Sequence, residues 1–118
     1  MISMGMYISI NESSGWGTSG GVFDCIVEGT RALFTHDQCS CMRKIYEALD
    51  EQAQSFIVLD NITDDCFNLF YSHCEAAMKI FPESDRGKIV PENHIPGILW
   101  NWSEVLRLMR EDIRYKDK

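Results

Sequence analysis

The sequence predicts an α+β domain: a small antiparallel sheet, made of an N-terminal meander plus one further strand, covered by about three helices. Three observations predict it. The first 35 residues carry short β-branched and aromatic runs broken by glycine. Two following stretches repeat apolar residues at helical spacing behind good capping residues. A third helical stretch closes the chain after a proline-rich connection. At 118 residues and 13.6 kDa the chain holds one domain's worth of material, so residues 1–118 are expected to form a single domain.

Met6–Ile10 and Val22–Val27 have strand composition, with Asp24 the only charge in the second run. The glycine-rich connection Ser13–Gly21 is long for a tight hairpin and is expected to be a mobile loop with Trp16 at its tip. Gly29 supplies a turn residue, after which Arg31–Phe34 would return as a third strand. Thr35 and Gln38 then match a capping box, and Met42, Ile45, Tyr46, Leu49 and Ala53 recur at helical spacing. Ser55–Asp60 is apolar enough for one buried strand and too short for a helix. Thr63 caps a second helix with Asp64 and Asp65 in its first turn, where carboxylates complement the positive helix end. Its stripe is Phe67, Phe70, Tyr71, Cys74, Met78 and Phe81, and Pro82 stops it. The segment 82–96 is polar, contains all three prolines and is expected to be an irregular loop. The last helix is expected over about Ile98–Arg114, with Ile98, Trp102, Val105, Leu106, Met109 and Ile113 on one face and Arg107, Arg110 and Arg114 toward its negative end.

The composition excludes several classes. No stretch reaches the roughly 20 apolar residues of a spanning helix. The N-terminus MISMGMYISINESS has no basic residue ahead of its apolar run and no small-residue cleavage site, which points to a cytoplasmic protein. Five cysteines, an odd number, fit free thiols better than a disulfide framework. A net charge of -7 argues against holding nucleic acid, because that binding draws on Lys and Arg to displace counterions.

Catalytic and metal chemistry fare poorly. His36, Cys39, Cys41, Cys66, His73 and Cys74 contain donors enough for zinc, but Cys39 and Cys41 point to opposite sides of one helix and no Cys-x-x-Cys turn exists; no metal or other cofactor is expected. His73 and Cys74 diverge on their helix, so neither a thiol–imidazole pair nor a nucleophile elbow is present. The glycine-rich segment lacks the Gly-Lys-Ser/Thr of a phosphate loop.

Charge is the most informative feature. Residues 1–78 hold eleven acidic and three basic side chains, whereas residues 79–118 hold seven and eight. Glu47, Asp50, Glu51, Asp60, Asp64 and Asp65 crowd the end of the first helix, the following strand and the start of the second helix, and are expected to converge on one rim that binds a basic protein, with Trp16 as an apolar anchor. In size, charge and lack of a catalytic constellation the chain resembles the small acidic immunity proteins of bacterial toxin systems, including contact-dependent inhibition and other polymorphic toxins. The resemblance implies a cytosolic non-enzyme that binds a cognate toxin, often a basic nuclease, and blocks its active site; it rests on no motif, so it assigns no residue a role. The alternative is a small enzyme or ligand-binding domain whose site lies under the 13–21 loop, with Asp24, Glu28 and His36 as its polar groups. A third reading is self-assembly through exposed Trp16 or Trp100.

Overall fold

A computed structural model describes residues 5–116. The fold is α+β, a three-stranded mixed sheet with five helices: β1 (Gly5–Asn11), β2 (Ser14–Ser19), α1 (Gly20–Arg31), α2 (Cys39–Glu51), β3 (Phe56–Val58), α3 (Asp64–Ile80), α4 (Asp85–Ile89) and α5 (Ile95–Arg110). The strand order is β2-β1-β3. β1 and β2 form an antiparallel hairpin with a register shift between Ser9 and Asn11, whereas β3 runs parallel to β1. The sheet is therefore mixed rather than an antiparallel meander. A parallel neighbour needs a crossover, and α1 and α2 provide it.

The predicted strand Val22–Val27 is helix α1. Its β-branched composition yields to tertiary packing: Phe23, Ile26, Val27 and Thr30 fall on one helical face and are fully buried. Ser19 starts the helix, its hydroxyl accepting the Val22 N–H at 3.4 Å. Gly29 is no turn but a mid-helix residue: a Cβ there would stand 3.1 Å from the Trp102 ring, so its absence lets α5 approach α1 closely. Arg31 is the last residue of α1, and the Leu33 and Phe34 amides bond back to Thr30 and Arg31, so no strand forms over 31–34. The segment 13–21, expected as a mobile loop, supplies all of β2, and Trp16 lies within that strand.

The helix after Thr63 forms as predicted, the Thr63 hydroxyl accepting the Cys66 N–H at 3.1 Å, whereas the Thr35–Gln38 capping box starts a 3-10 turn, His36–Gln38, that leads into α2 at Cys39. Ala53 lies beyond α2, in left-handed backbone at φ 52°, and is exposed. The segment 82–96 is partly helical, because the Ser84 hydroxyl caps α4 through the Gly87 N–H at 3.1 Å. Gly87 is obligatory there: a Cβ would fall 2.0 Å from the Phe81 carbonyl oxygen. The last helix spans Ile95–Arg110, so Ile113 leaves the predicted apolar stripe and is 99% exposed.

Helices α1, α3 and α5 pack together beside the inner face of the sheet, which presents Ile8, Ile10, Ile57 and Leu59. Phe23, Tyr46, Phe67, Phe70 and Trp102 fill the space between. The two largest buried donors are satisfied: Trp102 Nε1 donates to the Cys74 carbonyl at 2.9 Å and Tyr46 Oη to the Val27 carbonyl at 2.5 Å. Tyr7 and Ser9, which alternate with Ile8 and Ile10, face the opposite side of the sheet.

The expectation of five free thiols is overturned. Cys41 in α2 and Cys66 in α3 form a disulfide with their Cα atoms 5.4 Å apart, while Cys25, Cys39 and Cys74 are free. Successive residues advance about 100° around a helix, so Cys39 is turned outward while Cys41 meets the facing helix. A count of cysteines carries no information on which helices face each other.

Two stability predictions follow from the packing. Phe70, fully buried, should cost about 3–5 kcal/mol when truncated to alanine, measured by chemical denaturation; a loss under about 1 kcal/mol would contradict the burial of this face. Replacing Cys41 and Cys66 together by serine should cost about 3 kcal/mol for a loop of 25 residues, and a thiol reductant should lower the wild type to the variant's stability while leaving the variant unchanged.

Candidate partner-binding surface

The predicted acidic residues do not all converge. Asp50 is committed within the molecule: Arg31 Nη1 and Nη2 fork onto its carboxylate at 2.7 and 3.0 Å, Nη2 also donates to Glu28 at 3.1 Å, and the guanidinium lies 4.1 Å from the Tyr46 ring centroid. Its reversal to lysine would break an α1–α2 tie, so Asp50 is a structural residue and not a neutral surface probe. Glu47 and Glu51 are exposed on α2; Asp64 and Asp65 are exposed in the first turn of α3. Asp60 follows β3 and accepts the Ser9 hydroxyl at 2.5 Å.

The structure gathers a different set. A concavity of about 700 Å³ opens where the β1–β2 turn meets the segments after β3 and α5. Four carboxylates line it, Glu12, Asp60, Glu111 and Asp112, against one guanidinium, that of Arg114. Glu111 accepts from Arg107 at 2.9 Å at the exposed end of α5, and Asp112 is consumed by Arg114. Glu12 and Asp60 remain without a cationic partner among the described residues. Asn61 lines both this concavity and a groove of about 300 Å³ between α2 and β3 that contains Glu47, Lys44 and Gln52, so the two depressions adjoin at that residue. Of the six predicted carboxylates, Asp60 and Glu47 thus share one surface. Glu12 and Glu111 were missed: only the fold brings the hairpin turn beside residues 111–114.

The floor of the concavity is rigid. Arg114 Nη1 donates to the Leu59 carbonyl at 2.6 Å, Nη2 to the Ile10 carbonyl at 2.9 Å, and Nε and Nη2 to the Asp112 carboxylate at 2.9 and 3.0 Å. Its guanidinium lies 4.2 Å from the Phe67 ring centroid, and Asn11 Nδ2 donates to Asp112 at 2.7 Å. The Asp112 carboxyl is held well below the usual carboxylate range, first by the Arg114 hydrogen bonds, against the opposing effect of burial, with Asn11 adding to the depression. Asp112 raises the Arg114 pKa in turn, and the charges of Asp60 and Asp64 act in the same direction.

Trp16 is half-buried: its Nε1 donates to Asn101 Oδ1 at 3.0 Å and its ring meets Trp100 edge-on at 5.6 Å between centroids. Trp100 is 57% exposed. Of this pair, Trp100 is therefore the exposed ring and Trp16 the half-buried one against which it packs.

The polar groups of the ligand-site alternative are not brought together. Asp24 and Glu28 stand on α1 instead of a strand, and Glu28 is paired with Arg31. The cavity of about 660 Å³ touching Ser19 and Gly21 is lined by apolar Val22, Ile89, Val90 and Ile98 together with Asn93, His94 and Asn101, and by none of Asp24, Glu28 and His36. His73 pairs with Gln38 at 2.9 Å, and burial pushes the Cys74 thiol up to about 12, which keeps it protonated and unreactive. Among the described residues no group of three or more His, Cys, Asp or Glu side chains is placed to hold a metal ion, and no helix is long and apolar enough to cross a membrane.

No protein-family model and no curated protein matches this sequence. Among solved structures, the chain matches one chain of the complex of the CdiA-CT toxin from Burkholderia pseudomallei E479 with its cognate CdiI immunity protein. The TM-score is 0.79 at 17% identity, over 92% of this chain and 97% of that one. The likeness establishes a shared fold.

Asp112 should make stability depend on acid. Its folded pKa lies below the unfolded one, so its contribution is complete above about pH 4 and is lost as the pH falls below that value. Urea unfolding across an acid series should show wild type losing more stability than Asp112→Asn; parallel curves would contradict the pairing. Arg114→Met, which strands Asp112 and uncaps two strand ends, should cost about 3–5 kcal/mol.

Proposed function

We propose that this protein is an immunity-type inhibitor that binds a basic toxin domain in the bacterial cytoplasm and blocks it, with no catalytic role of its own. The observation that carries the reading is the carboxylate-lined concavity, with Glu12 and Asp60 free of cationic partners and Glu47 in the adjoining groove. An uncompensated acidic depression attracts Lys and Arg side chains and accelerates encounter with a positively charged surface. The fold, shared with a chain from a toxin–immunity complex, supports the same reading. Contact-dependent inhibition is the system it suggests, and occlusion of the toxin's active site is the mechanism. Glu51, Asp64 and Asp65 extend the acidic field beyond the concavity; Asp50 does not, because Arg31 neutralises it.

The reading expects a toxin C-terminal domain to be encoded directly upstream of this chain's gene, and the test uses that domain. Association should slow as salt rises, while dissociation changes little. The exposed pair Glu12→Lys and Glu47→Lys should weaken binding by at least about tenfold and flatten the salt dependence, with an unchanged melting temperature. No complex with the wild type, or equal affinities of wild type and double variant at every salt concentration, would sink the reading.

A further inference from the structure

The three-stranded sheet has two edges, and they differ. On β1, the Tyr7 N–H bonds to the Ser55 carbonyl and the Ser9 carbonyl accepts from Leu59, so Tyr7 and Ser9 direct their backbone groups to β3. Met6 and Ile8 therefore face β2, where they are paired with Thr18 and Trp16. The alternate residues Gly15 and Gly17 then direct their N–H and C=O groups away from the sheet, and no described residue bonds to them. The β3 edge is three residues long and stands beside α2 across the narrow groove of Lys44 and Glu47. The β2 edge is six residues long, SGWGTS, without Lys, Pro or any other charge, the devices that ordinarily protect an edge.

Its surroundings define an occupant. At one end, Ser14 lines the acidic concavity together with Glu12 and Asp60. Midway, Trp100 leaves 57% of its surface open beside Trp16, on the inner face of the strand. On the outer face Tyr7 lies so close over Gly15 that a Cβ would fall 2.0 Å from its hydroxyl, so the tyrosine ring covers the strand where a side chain would otherwise stand.

From this arrangement we infer that the β2 edge receives an extended segment of the basic toxin domain as a fourth strand. The segment pairs its backbone with Gly15 and Gly17, lays an apolar side chain on Trp100, and delivers a Lys or Arg to Glu12 and Asp60. The inference rests on the function proposed above and adds the mode of recognition: backbone pairing supplies affinity that does not depend on charge, and the alternate side chains supply specificity.

Gly17→Pro tests it. The proline removes an outward N–H and leaves the β1 ladder intact; proline is accommodated on an edge strand whose N–H faces away from the sheet, and a Cβ at position 17 meets only Tyr7 Cδ1 at 3.6 Å and the Met6 carbonyl oxygen at 3.8 Å. With the same upstream-encoded toxin domain, the variant should bind at least about tenfold more weakly than wild type at every salt concentration, with an unchanged circular dichroism spectrum and melting temperature. Independently of any variant, the Gly15 and Gly17 amides of the wild type should exchange rapidly in the free protein and become protected in the complex. A wild-type complex in which these amides stay unprotected, or which Gly17→Pro forms equally well, overturns the edge assignment and leaves the acidic-surface reading standing. No complex with the wild type overturns both. A concentration-dependent wild-type dimer that Gly17→Pro abolishes in sedimentation assigns the edge to a second copy of this chain and overturns the inference as well.

Discussion

Two parallel strand ends and a turn converge at one point, and their carbonyl oxygens must find donors. Ile10 lies at the register shift just before the end of β1, Leu59 follows β3, and both carbonyls accept from Arg114. A buried carbonyl without a partner costs a kilocalorie or more. A single guanidinium with five donors in a fixed plane answers both, and Arg114 holds it there by stacking on Phe67 and pairing with Asp112. Asn11 fixes Asp112 from the hairpin side, and Asn68 Nδ2 donates to the Arg114 carbonyl from α3 at 2.8 Å. The segment after α5 is thereby bound to β1, β3 and α3 together. The position of Glu111 beside Glu12 and Asp60, and hence the concavity itself, depends on this contact.

The helices obey a second constraint, the close approach of α5 to α1. Trp102 fits against Gly29, donates to the Cys74 carbonyl of α3 and lies 5.4 Å from the Phe81 ring. One large side chain thus fixes the relative position of three helices. With Trp102 inward, Trp100 two residues earlier turns outward beside β2. Core packing and the exposed aromatic are consequences of the same helix phase.

Formal charge and available charge differ in this molecule. Arg31 pairs with both Glu28 and Asp50, Arg107 bridges Glu104 and Glu111, and Arg114 occupies Asp112. Pairing withdraws these carboxylates to different degrees according to exposure: the Asp112 pair is nearly enclosed, whereas the Arg107 pairs are open to solvent and screened. Among the described residues, the carboxylates left without an ion pair include Glu12, Asp60 and Glu47, with Arg114 the one cation lining the concavity.

By itself the sequence determined the elements whose signals are local. The strand at Met6–Ile10, the capped helices after Thr35 and Thr63, the short strand within Ser55–Asp60 and the apolar stripe of α3 follow from spacing and capping chemistry that act within a few residues. The net acidity is likewise a property of the sequence alone. Only the tertiary structure decided the rest. VFDCIV has strand composition, yet burial of Phe23, Ile26 and Val27 on one face makes it helical, because packing free energy exceeds the small intrinsic preference of β-branched residues. The Cys41–Cys66 bond, the Arg31–Asp50 pair and the Asn11–Asp112 contact join residues 25, 19 and 101 positions apart, separations at which no periodicity in the chain carries information. The same holds for the site. Sequence proximity grouped Asp50 with Glu47 and Asp60, but a carboxylate's availability depends on which cation the fold places beside it, and that is a property of three-dimensional neighbours alone.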